Sequence, residues 1–434
     1  MERIYSSELP KNIGKIALLK GWLHLIRNHG SICFLILRDK NGLCQIVIDS
    51  DDLKQKIQHL QNGSIIQVEG EVKKAPTELG CELYCQKLEI IQQIENVPPI
   101  DITKKELSLN LDTLFNTRVV SLRHPKQQAI FSLLSLLQKH IRDFYIKNNF
   151  VEISTPKIIA TPTEGGSEVF RINYFEKEAC LAQSPQFYKQ MMVGVFEKVF
   201  EIGRVFRAEQ SHTSRHMTEI LMLDMEIGFI ENLDQLLSLS EEFLIYVVSE
   251  IWKDGENQLN LLNSSKPVLS TKFPKISLQE LHEIFKKETG IDHTGERDAS
   301  PDEEKFICEY AKEKWHCEAV FITHFPWSDA KFYHKRSTTD NKYAERADLI
   351  FRGVEIATIP LREENYEKLI SQIKEKGINP NDDGFTHYLE AFKYGLPPHG
   401  GFGLGISRLL QKIIGLENVK EAELFPRDPN RLTP

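Results

Sequence analysis

Short apolar runs separated by turn residues fill the first hundred positions of the chain. The runs are rich in β-branched and aromatic residues, which favour strands, and the turn sequences NHG, KNG and QNG lie between them. They occupy residues 15–26, 31–39, 43–49, 64–74 and 82–91. Five short strands in so small a region predict a closed barrel, and a five-stranded Greek-key barrel of the oligonucleotide-binding (OB) type is a natural candidate. A β-domain of another topology fits the pattern about equally well.

The periodicity weakens between residues 93 and 125, a stretch that contains Pro98 and Pro99. Adjacent prolines without regular apolar spacing are typical of a linker. We therefore expect two domains joined by a hinge, as the length of 434 residues also suggests. The predicted boundaries are residues 1–100 for the barrel, 101–125 for the hinge and 126–434 for the second domain.

The second domain opens with helical spacing. Apolar residues at 130–144 form one stripe, which predicts an amphipathic helix that ends near Asn148. Ser277 followed by Glu280 is a capping box, and it predicts another helix within a helical subregion at residues 250–315. Strand-like runs cover residues 151–159, 198–206, 220–230, 318–323 and 347–357. This mixture predicts an α+β domain built on a largely antiparallel sheet.

Composition narrows the class of protein without identifying it. The net charge is -8, so the chain does not coat nucleic acid by bulk electrostatics, and any such contact must come from local clusters. Seven cysteines without regular spacing predict no disulfide framework, and we interpret Cys81 and Cys85 as ordinary strand residues. No signal-peptide core is present, and no run of about 18 apolar residues could span a bilayer. A soluble cytoplasmic protein is expected.

Four charged or titratable residues stand out in the sequence VFRAEQSHTSRHMTEILMLDMEIGFI, which covers residues 205–230: Arg207, Glu209, Arg215 and His216. On a strand, Arg207 and Glu209 would point to the same face, and the polar loop after them could return Arg215 and His216 over it. Guanidinium groups bind phosphate in a bidentate manner, which suits a nucleoside triphosphate. A surface ion-pair network would explain any one of these residues, but not the set between two buried-looking strands.

A second candidate lies near the C-terminus, in YGLPPHGGFGLGISRLLQKIIGL. Its glycines, at positions 400, 401, 403 and 405, let a backbone approach a ligand closely. The helix expected from about residue 404 would add N-terminal amides and Arg408. The stretch is neither a Walker sequence nor a dinucleotide fingerprint, so it is weak evidence alone.

The two candidates together resemble a known family. FRAE followed by TSRHMTE and LDMEIGF resembles motif 2 of the class II aminoacyl-tRNA synthetases, and GFGLGISRLL with FPRDPNRLTP resembles their motif 3. FVEISTPKI, with Pro156, resembles motif 1, which forms the family's dimer interface. TEGGSEVF, LAQSPQFYKQ and PPHGGFGLG resemble aspartyl-tRNA synthetases of the archaeal and eukaryotic type. The resemblance covers nearly the whole chain and implies a homodimer with an OB-type anticodon-binding barrel, a hinge and a catalytic domain.

The resemblance also implies an ATP site with Mg²⁺. Arg207 and Glu209 would hold the α-phosphate and adenine, Arg215 and His216 the distal phosphates, and Arg408 would stack on the adenine. The remaining residues that the resemblance assigns to ATP are Met217, Glu355 and Gly405. The implied magnesium ligands are Asp348, Glu355 and Thr358, and carboxylates with ATP phosphates are a normal magnesium shell.

The amino-acid and tRNA sites follow from the same resemblance. Glu164 would take the substrate ammonium group, and Lys189 and Arg362 the side-chain carboxylate, a pairing that asparagine could not satisfy. The full implied aspartate set is Glu164, Gln186, Lys189, Arg207, Thr358 and Arg362. In the barrel, Phe34 and Gln45 would stack on and hydrogen bond to the middle anticodon base. His24 and Pro76 resemble members of the family that charge both tRNA(Asp) and tRNA(Asn).

The implied reaction forms aspartyl-adenylate from aspartate and ATP and then aspartyl-tRNA, by positioning and charge neutralisation. Two departures from the family are present: ATIPLRE at residues 357–363 replaces a Gly-rich stretch, and Ile220 stands where many relatives have a Phe. An asparagine-tRNA ligase is one alternative. A paralogue that binds tRNA or an adenylate without charging tRNA is another.

Overall fold

Five strands close a barrel in the order β1-β2-β3-β5-β4, which confirms the predicted five-stranded barrel. The strands are β1 (Ile16–His29), β2 (Ile32–Asp39), β3 (Gly42–Ile48), β4 (Ile65–Lys74) and β5 (Cys81–Gln92), and α1 (Asp51–Ile57) connects β3 to β4. All pairings are antiparallel except β3 with β5. The computed structural model describes residues 1–30, 32–162, 168–210 and 213–433.

Alternating burial along the strands explains why these residues close a barrel. On β2, Leu35 and Leu37 are fully buried while Phe34 and Ile36 are half-buried, as the two faces of a strand require. The register of β1 on β2 shifts at His24, which makes a β-bulge there. Cys81 and Cys85 lie buried on β5 as free thiols, in agreement with the prediction.

The stretch that was predicted to be a hinge contains two short helices, α2 (Leu111–Asn116) and α3 (Arg118–Ser121). The Asn110 side chain caps α2 by accepting a hydrogen bond from the Thr113 amide. These helices are too short to show a helical period in the sequence. The chain divides into two compact units, Met1–Gln128 and Ala129–Pro434. The hinge at residues 101–125 remains a prediction.

The second unit alternates helices and strands. Its helices are α4 (Pro125–Lys147, of which Ala129 onward belongs to this unit), α5 (Gln186–Phe196), α6 (Leu233–Asp254), α7 (Glu256–Leu262), α8 (Leu278–Thr289), α9 (Pro301–Trp315), α10 (Tyr366–Glu375), α11 (Thr386–Lys393) and α12 (Ile406–Ile414). Its strands are β6 (Val151–Glu152), β7 (Ile158–Ile159), β8 (Arg171–Tyr174), β9 (Lys177–Leu181), β10 (Lys198–Phe206), β11 (Glu219–Gly228), β12 (Lys275–Ser277), β13 (Ala319–Thr323), β14 (Arg346–Phe351), β15 (Val354–Pro360) and β16 (His399–Gly405).

Eight of these strands form one sheet in the order β12-β13-β14-β15-β16-β11-β10-β6. The pairings are antiparallel except at the two edges, where β12 is parallel to β13 and β6 to β10. A smaller sheet holds β7, β9 and β8. The predicted α+β domain with a largely antiparallel sheet is therefore confirmed, and its apolar core lies between the large sheet and α4, α6 and α12.

Strong local signals in the sequence, such as an apolar stripe or a capping box, predicted helices correctly. The predicted amphipathic helix is α4, and the capping box at Ser277 opens α8 with both reciprocal hydrogen bonds. The single run predicted at residues 347–357 was wrong, because β14 and β15 form a hairpin there. Arg352 and Gly353 turn the chain with φ values of 47° and 78°. Within the described residues, no helix is long and apolar enough to cross a membrane.

Candidate active site

A cavity of about 530 Å³ opens in the second unit and collects most of the predicted site residues. The predicted residues that line it are Gln186, Lys189, Arg207, Glu209, Arg215, His216, Met217, Glu355, Thr358, Arg362, Gly405 and Arg408. Asp348 is buried and is absent from the lining. Glu164 lies outside the described residues. The motif-2 loop, α5, β15 and the β16–α12 junction thus converge on one volume.

One end of the cavity, here called the arginine cluster, consists of Arg207, Glu209, Arg215, His216 and Arg408. β10 ends at Phe206, so Arg207 and Glu209 lie in the loop after the strand; the prediction that they share a strand face was wrong. The cause is a change of backbone partner, since the Ala208 amide donates to the Glu168 carbonyl at 2.7 Å. Glu209 is the shared partner, 3.8 Å from an Arg207 nitrogen and 3.6 Å from His216 Nε2.

Arg215 and Arg408 are held more firmly. Arg215 donates to a Glu304 carboxylate oxygen at 2.9 Å and to the Gly353 carbonyl at 3.3 Å. Arg408 donates to the backbone carbonyls of Glu355, at 2.8 Å, and Arg215, at 3.3 Å. Burial lowers the pKa of Arg408. These bonds orient both guanidinium groups on the cavity wall before any ligand arrives.

The other end, here called the buried network, consists of Lys189, Asp224 and Arg362, which line the cavity, and of Glu226, which is fully buried and pairs with Lys189 and Arg362. Lys189 Nζ is 2.9 Å from Asp224 Oδ1 and 3.5 Å from Glu226 Oε2. Arg362 donates to both oxygens of Glu226, at 2.8 and 3.2 Å. Burial raises the pKa of Asp224, whereas the pKa of Glu226 is lowered because Arg362 and Lys189 outweigh its burial. The two cations predicted for the substrate carboxylate are thus already paired with two carboxylates.

Glycine and a hydrogen-bonded chain position the buried network. A Cβ at Gly401 would lie 2.1 Å from the Met225 carbonyl oxygen and 2.3 Å from a Glu226 carboxylate oxygen, so only glycine fits there. Behind the network, Gln190 Nε2 lies 2.9 Å from His399 Nε2. Gln190 Oε1 in turn accepts from Gln186 at 2.9 Å. Gln186 therefore supports the cavity wall as well as lining it.

His334 is a cavity residue that no motif indicated. Its side chain is buried, and Nδ1 has no hydrogen-bond partner within the described residues. Burial first, and then the charges of Arg362 and Arg346, lower the pKa of His334 well below its usual value. The imidazole is therefore neutral at pH 7, with an unused polar atom beside the buried network.

The predicted magnesium ligands fit a hard cation only in part. Glu355 lines the cavity, and its carboxylate accepts a hydrogen bond from the Thr358 hydroxyl at 2.9 Å, so both oxygen ligands face the same space. Asp348 faces Arg346 instead, which donates to its two oxygens at 3.2 and 2.7 Å. Glu355 and Thr358 are thus the pair suited to Mg²⁺.

Charges along the cavity nearly balance. Seven basic side chains and six carboxylates line the described part of it. The basic residues are Lys189, Arg207, Arg215, Lys331, Arg346, Arg362 and Arg408, and the acids are Glu168, Glu209, Asp224, Asp298, Asp329 and Glu355. A nucleoside triphosphate would bring about four negative charges, which one surplus cation cannot offset. Its binding therefore calls for a metal cation in addition.

The residues proposed for tRNA lie in the barrel unit. Phe34 and Gln45 share its outer face, since Phe34 pairs with Val47 and Gln45 with Ile36, and both side chains are half-buried. Gln45 donates to Glu82 at 2.7 Å, which leaves its amide oxygen for another partner.

His24 and Pro76 differ in exposure. His24 is 7% exposed, and its Nδ1 finds no hydrogen-bond partner among the described residues. Burial, followed by the charges of Arg38 and His124, lowers the pKa of His24. Pro76 is exposed in the loop between β4 and β5. Because its side chain is buried, any effect of His24 on recognition of an anticodon base would be indirect.

Two kinds of residue were missed from the sequence. Asp224 and Glu226 alternate along the apolar strand LMLDMEIGF, and this was a usable signal, because buried carboxylates require partners. Arg346 carries a similar signal two residues before Asp348. His334 lies in a loop, where no periodicity marks it.

Comparison with known proteins agrees with this geometry. The family of tRNA synthetases class II (D, K and N) matches residues 110–429, and the OB-fold nucleic acid binding domain matches residues 17–91. The chain is 39% identical to an aspartate–tRNA(Asp/Asn) ligase of Methanopyrus kandleri, over 98% of this chain and 97% of the relative. It is 38% identical to an aspartate–tRNA(Asp) ligase of Pyrococcus abyssi, over 99% of both chains.

A solved structure is similar over the full length. The asparaginyl-tRNA synthetase of Pyrococcus horikoshii, complexed with asparaginyl-adenylate, has a TM-score of 0.93 at 30% identity and covers 100% of both chains. The chain belongs to the class II tRNA synthetases that the D, K and N family comprises. Within that family, the two relatives from Methanopyrus kandleri and Pyrococcus abyssi are named as aspartate–tRNA ligases.

Proposed function

We propose that this chain is an aspartate–tRNA ligase, which activates L-aspartate with ATP and transfers the aspartyl group to tRNA. The observation that carries the proposal is one cavity that is lined both by the arginine cluster and by Lys189 and Arg362. Phosphate and carboxylate are the anions that such guanidinium and ammonium groups bind. Both parts of aspartyl-adenylate thus find complementary charge within a single volume.

The proposed reaction is acyl transfer without a covalent enzyme intermediate. An oxygen of the aspartate α-carboxylate attacks the α-phosphorus of ATP, and pyrophosphate leaves. A terminal ribose hydroxyl of tRNA then attacks the acyl carbon, and AMP leaves. Arg207, Arg215 and Arg408 line the cavity where negative charge would accumulate, so catalysis rests on positioning and charge neutralisation. No side chain needs to act as a general base.

Mg²⁺ is the proposed cofactor. When bound, it would neutralise phosphate charge at the side of the cavity where the Glu355 carboxylate and the Thr358 hydroxyl lie. Arg408 donates to the backbone carbonyl of that same Glu355. This hydrogen bond therefore links Arg408, whose guanidinium is proposed to stack on adenine, to Glu355, the proposed metal ligand.

Selection of aspartate is proposed to rest on the buried network. Lys189 contacts the carboxylates of Asp224 and Glu226, at 2.9 and 3.5 Å, and Arg362 pairs with Glu226, so a substrate carboxylate would be an additional partner for two cations that are already held in place. Asparagine would instead turn amide hydrogens toward two buried cations. Leaving such groups unsatisfied costs enough that we expect asparagine to be at least about a hundredfold poorer.

Pyrophosphate exchange into ATP tests both the activity and its specificity. We expect exchange that depends on aspartate, with asparagine at least about a hundredfold less efficient in kcat/KM. Equal exchange with the two amino acids would contradict the specificity, and exchange with neither would contradict the activity.

An asparagine–tRNA ligase is the second candidate. It is favoured by the structural similarity to an asparaginyl-tRNA synthetase and by the carboxylates that already neutralise Lys189 and Arg362. The same exchange assay decides, since this candidate requires asparagine to be the better substrate. A paralogue that no longer charges tRNA would form no aspartyl-tRNA in a charging assay, whether or not it still forms the adenylate and gives exchange. Pro360, which lines the cavity in place of a Gly-rich segment, is the residue that favours it.

We propose tRNA(Asp) and tRNA(Asn) as the tRNA partners. The anticodons of these tRNAs share two bases and differ at the third, so loose reading of one base admits both. His24, at the bulge of β1, presents neither a bulky ring on the outer face nor an exposed cation, and Pro76 offers no charge in the neighbouring loop. Contacts that discriminate one base are typically worth about 1–3 kcal/mol.

Charging assays with both transcripts test this proposal. We expect aspartylation efficiencies within about tenfold of each other, a gap of about 1.4 kcal/mol. His24→Trp should widen the gap, whereas Phe34→Ala should weaken both reactions alike and serves as the matched control. A preference of several hundredfold for tRNA(Asp) in the unmodified protein would refute the assignment.

A cytoplasmic homodimer is the proposed assembly. The segment around Pro156 carries two exposed apolar residues on short strands, Val151 at 39% and Ile158 at 47% exposure. The proposal comes from the resemblance of this segment to motif 1, and in such an interface the two side chains would be covered. Analytical ultracentrifugation should give a dimer, and a fully active monomer would contradict the proposal.

A further inference from the structure

Asp348 is the predicted metal ligand that the cavity does not present. It is 3% exposed and lies on β14 two residues after Arg346, so the two side chains share one face of the strand. Arg346 Nη2 donates to Asp348 Oδ2 at 2.7 Å, and Arg346 Nε to Oδ1 at 3.2 Å. This bidentate fork uses both carboxylate oxygens.

Arg346 is itself held in place from two other sides. Its Nη1 donates to Asp329 at 3.0 Å, and its guanidinium carbon lies 4.1 Å from the centre of the Phe325 ring. Arg346 is 8% exposed, yet it lines the cavity, so its charge lies between Asp348 and the ligand space. Rotation of the guanidinium away from Asp348 would sacrifice all of these contacts.

We propose that Arg346 withholds Asp348 from the metal, so that the cation bound with ATP is held through Glu355 and Thr358, and that Arg346 supplies the neighbouring positive charge itself. The inference rests on the proposed function, since it concerns the same ATP site. Arg346 thus has two roles: it positions Asp348 away from the metal, and its own guanidinium lines the cavity. Asp348 in turn acts as the counter-ion of Arg346.

Competition between cations is the physical reason. A divalent ion that bound Asp348 would have to break a buried bidentate ion pair and would leave Arg346 with Asp329 as its remaining carboxylate partner. Loss of one partner from a buried ion pair is costly, because the remaining charge is poorly compensated. Glu355 accepts a hydrogen bond from the Thr358 hydroxyl and forms no ion pair within 4.0 Å in the described part of the chain, although Arg346 and Arg408 act on it at longer range. The metal therefore meets less competition at Glu355.

Metal binding, read independently of turnover, tests the proposal. Mn²⁺ is titrated into the full chain with a non-hydrolysable ATP analogue, and the dissociation constant of the ternary complex is read from water-proton relaxation. The variants are Asp348→Asn, Glu355→Gln, Arg346→Gln and the double variant Arg346→Gln with Asp348→Asn. Arg352→Gln is the matched control, because Arg352 forks Glu318 at 3.2 Å through Nε and Nη2 and neither residue lines the cavity.

We expect Glu355→Gln to weaken Mn²⁺ binding about tenfold or more. Asp348→Asn should stay within about twofold of the unmodified protein. Arg346→Gln should tighten Mn²⁺ binding by freeing Asp348, and that gain should vanish in the double variant, which also shows whether Asp348→Asn merely perturbs the fold. The control should be unchanged.

Weakening by Asp348→Asn equal to that by Glu355→Gln would overturn the inference while leaving the proposed function intact. A gain from Arg346→Gln that persists in the double variant would also overturn it. Failure of the unmodified protein to form any Mn²⁺–nucleotide complex would overturn the proposed function, and the inference with it.

Discussion

Lys189, Glu226 and Arg362 in the buried network have side chains that are 2%, 0% and 3% exposed, whereas in the arginine cluster Arg207 is 37% exposed and Glu209 21%. The buried side chains meet their partners at 2.8–3.5 Å, and the exposed pair is separated by 3.8 Å. The buried network is thus held by close, buried ion pairs, whereas in the arginine cluster Arg207 and Glu209 form a loose, exposed pair beside the firmly held Arg215 and Arg408.

The difference matches the tasks proposed for the two ends. Discrimination between aspartate and asparagine requires donors that cannot move to suit the wrong substrate, and buried pairs with several partners satisfy that requirement. Phosphate binding and pyrophosphate release require cations that are free to leave one anion for another. Arg207, which is exposed and has its carboxylate partner Glu209 at 3.8 Å, suits that role, because surface ion pairs are worth little.

Stability should separate the two ends most strongly. Glu226→Gln removes the charge that compensates Arg362 and Lys189, and we expect a loss of about 3–5 kcal/mol in the free energy of unfolding. Glu209→Gln, the counterpart in the arginine cluster, should cost about 0–1 kcal/mol. Urea titrations of both variants measure this difference. Equal losses would show that the two ends are not held differently.

Catalytic activity should instead be more sensitive to a change in the arginine cluster that leaves stability intact. Arg207→Ala removes a guanidinium whose partner, Glu209, lies 3.8 Å away, so the fold should persist. Adenylate formation should fall by about 10²–10³-fold, the usual effect of removing one group that stabilises transition-state charge. Pyrophosphate exchange measures the loss. Arg142→Ala, which breaks an exposed pair with Glu152 at 2.9 Å, is the control. Near-native exchange in Arg207→Ala would remove the arginine cluster from the ATP site.

The sequence predicted the cavity's arginines better than the buried network's carboxylates. Arg207, Arg215 and Arg408 occur in family motifs, and their types alone indicate phosphate binding. Glu226 and Asp224 act through partners 35–136 positions away in the chain, such as Arg362 and Lys189, and only the packed sheet brings them together. Pairing of this kind is a property of the register between β11, β16 and α5, which no local pattern encodes.

The fold shows the same division. Strands and helices with strong periodicity or caps, such as α4 and α8, were predictable because short-range interactions specify them. The turn at Arg352 and Gly353 was missed, because Arg rarely adopts positive φ and the apolar run on either side appears continuous. Asp348 was correctly located on a strand, but its capture by Arg346 depends on Asp329 and Phe325 from another segment.

The smallest expected effect is on the pH dependence of folding stability, to which His334 beside the buried network should contribute. The pKa of His334, beside the buried network, is well below its usual value, so the unfolded chain gains a proton below about pH 6.5 that the folded chain does not. Stability is therefore lost as pH falls through that value, by up to about 1.4 kcal/mol per pH unit from this group.

His334→Gln cannot titrate and should lose about 1 kcal/mol less than the unmodified protein between pH 6.5 and 5.5. Urea titrations at the two pH values, with surface His387→Gln alongside, make the measurement. If His334→Gln and the unmodified protein lose stability in parallel, the imidazole is not the neutral, buried group that its position beside Arg362 and Arg346 requires.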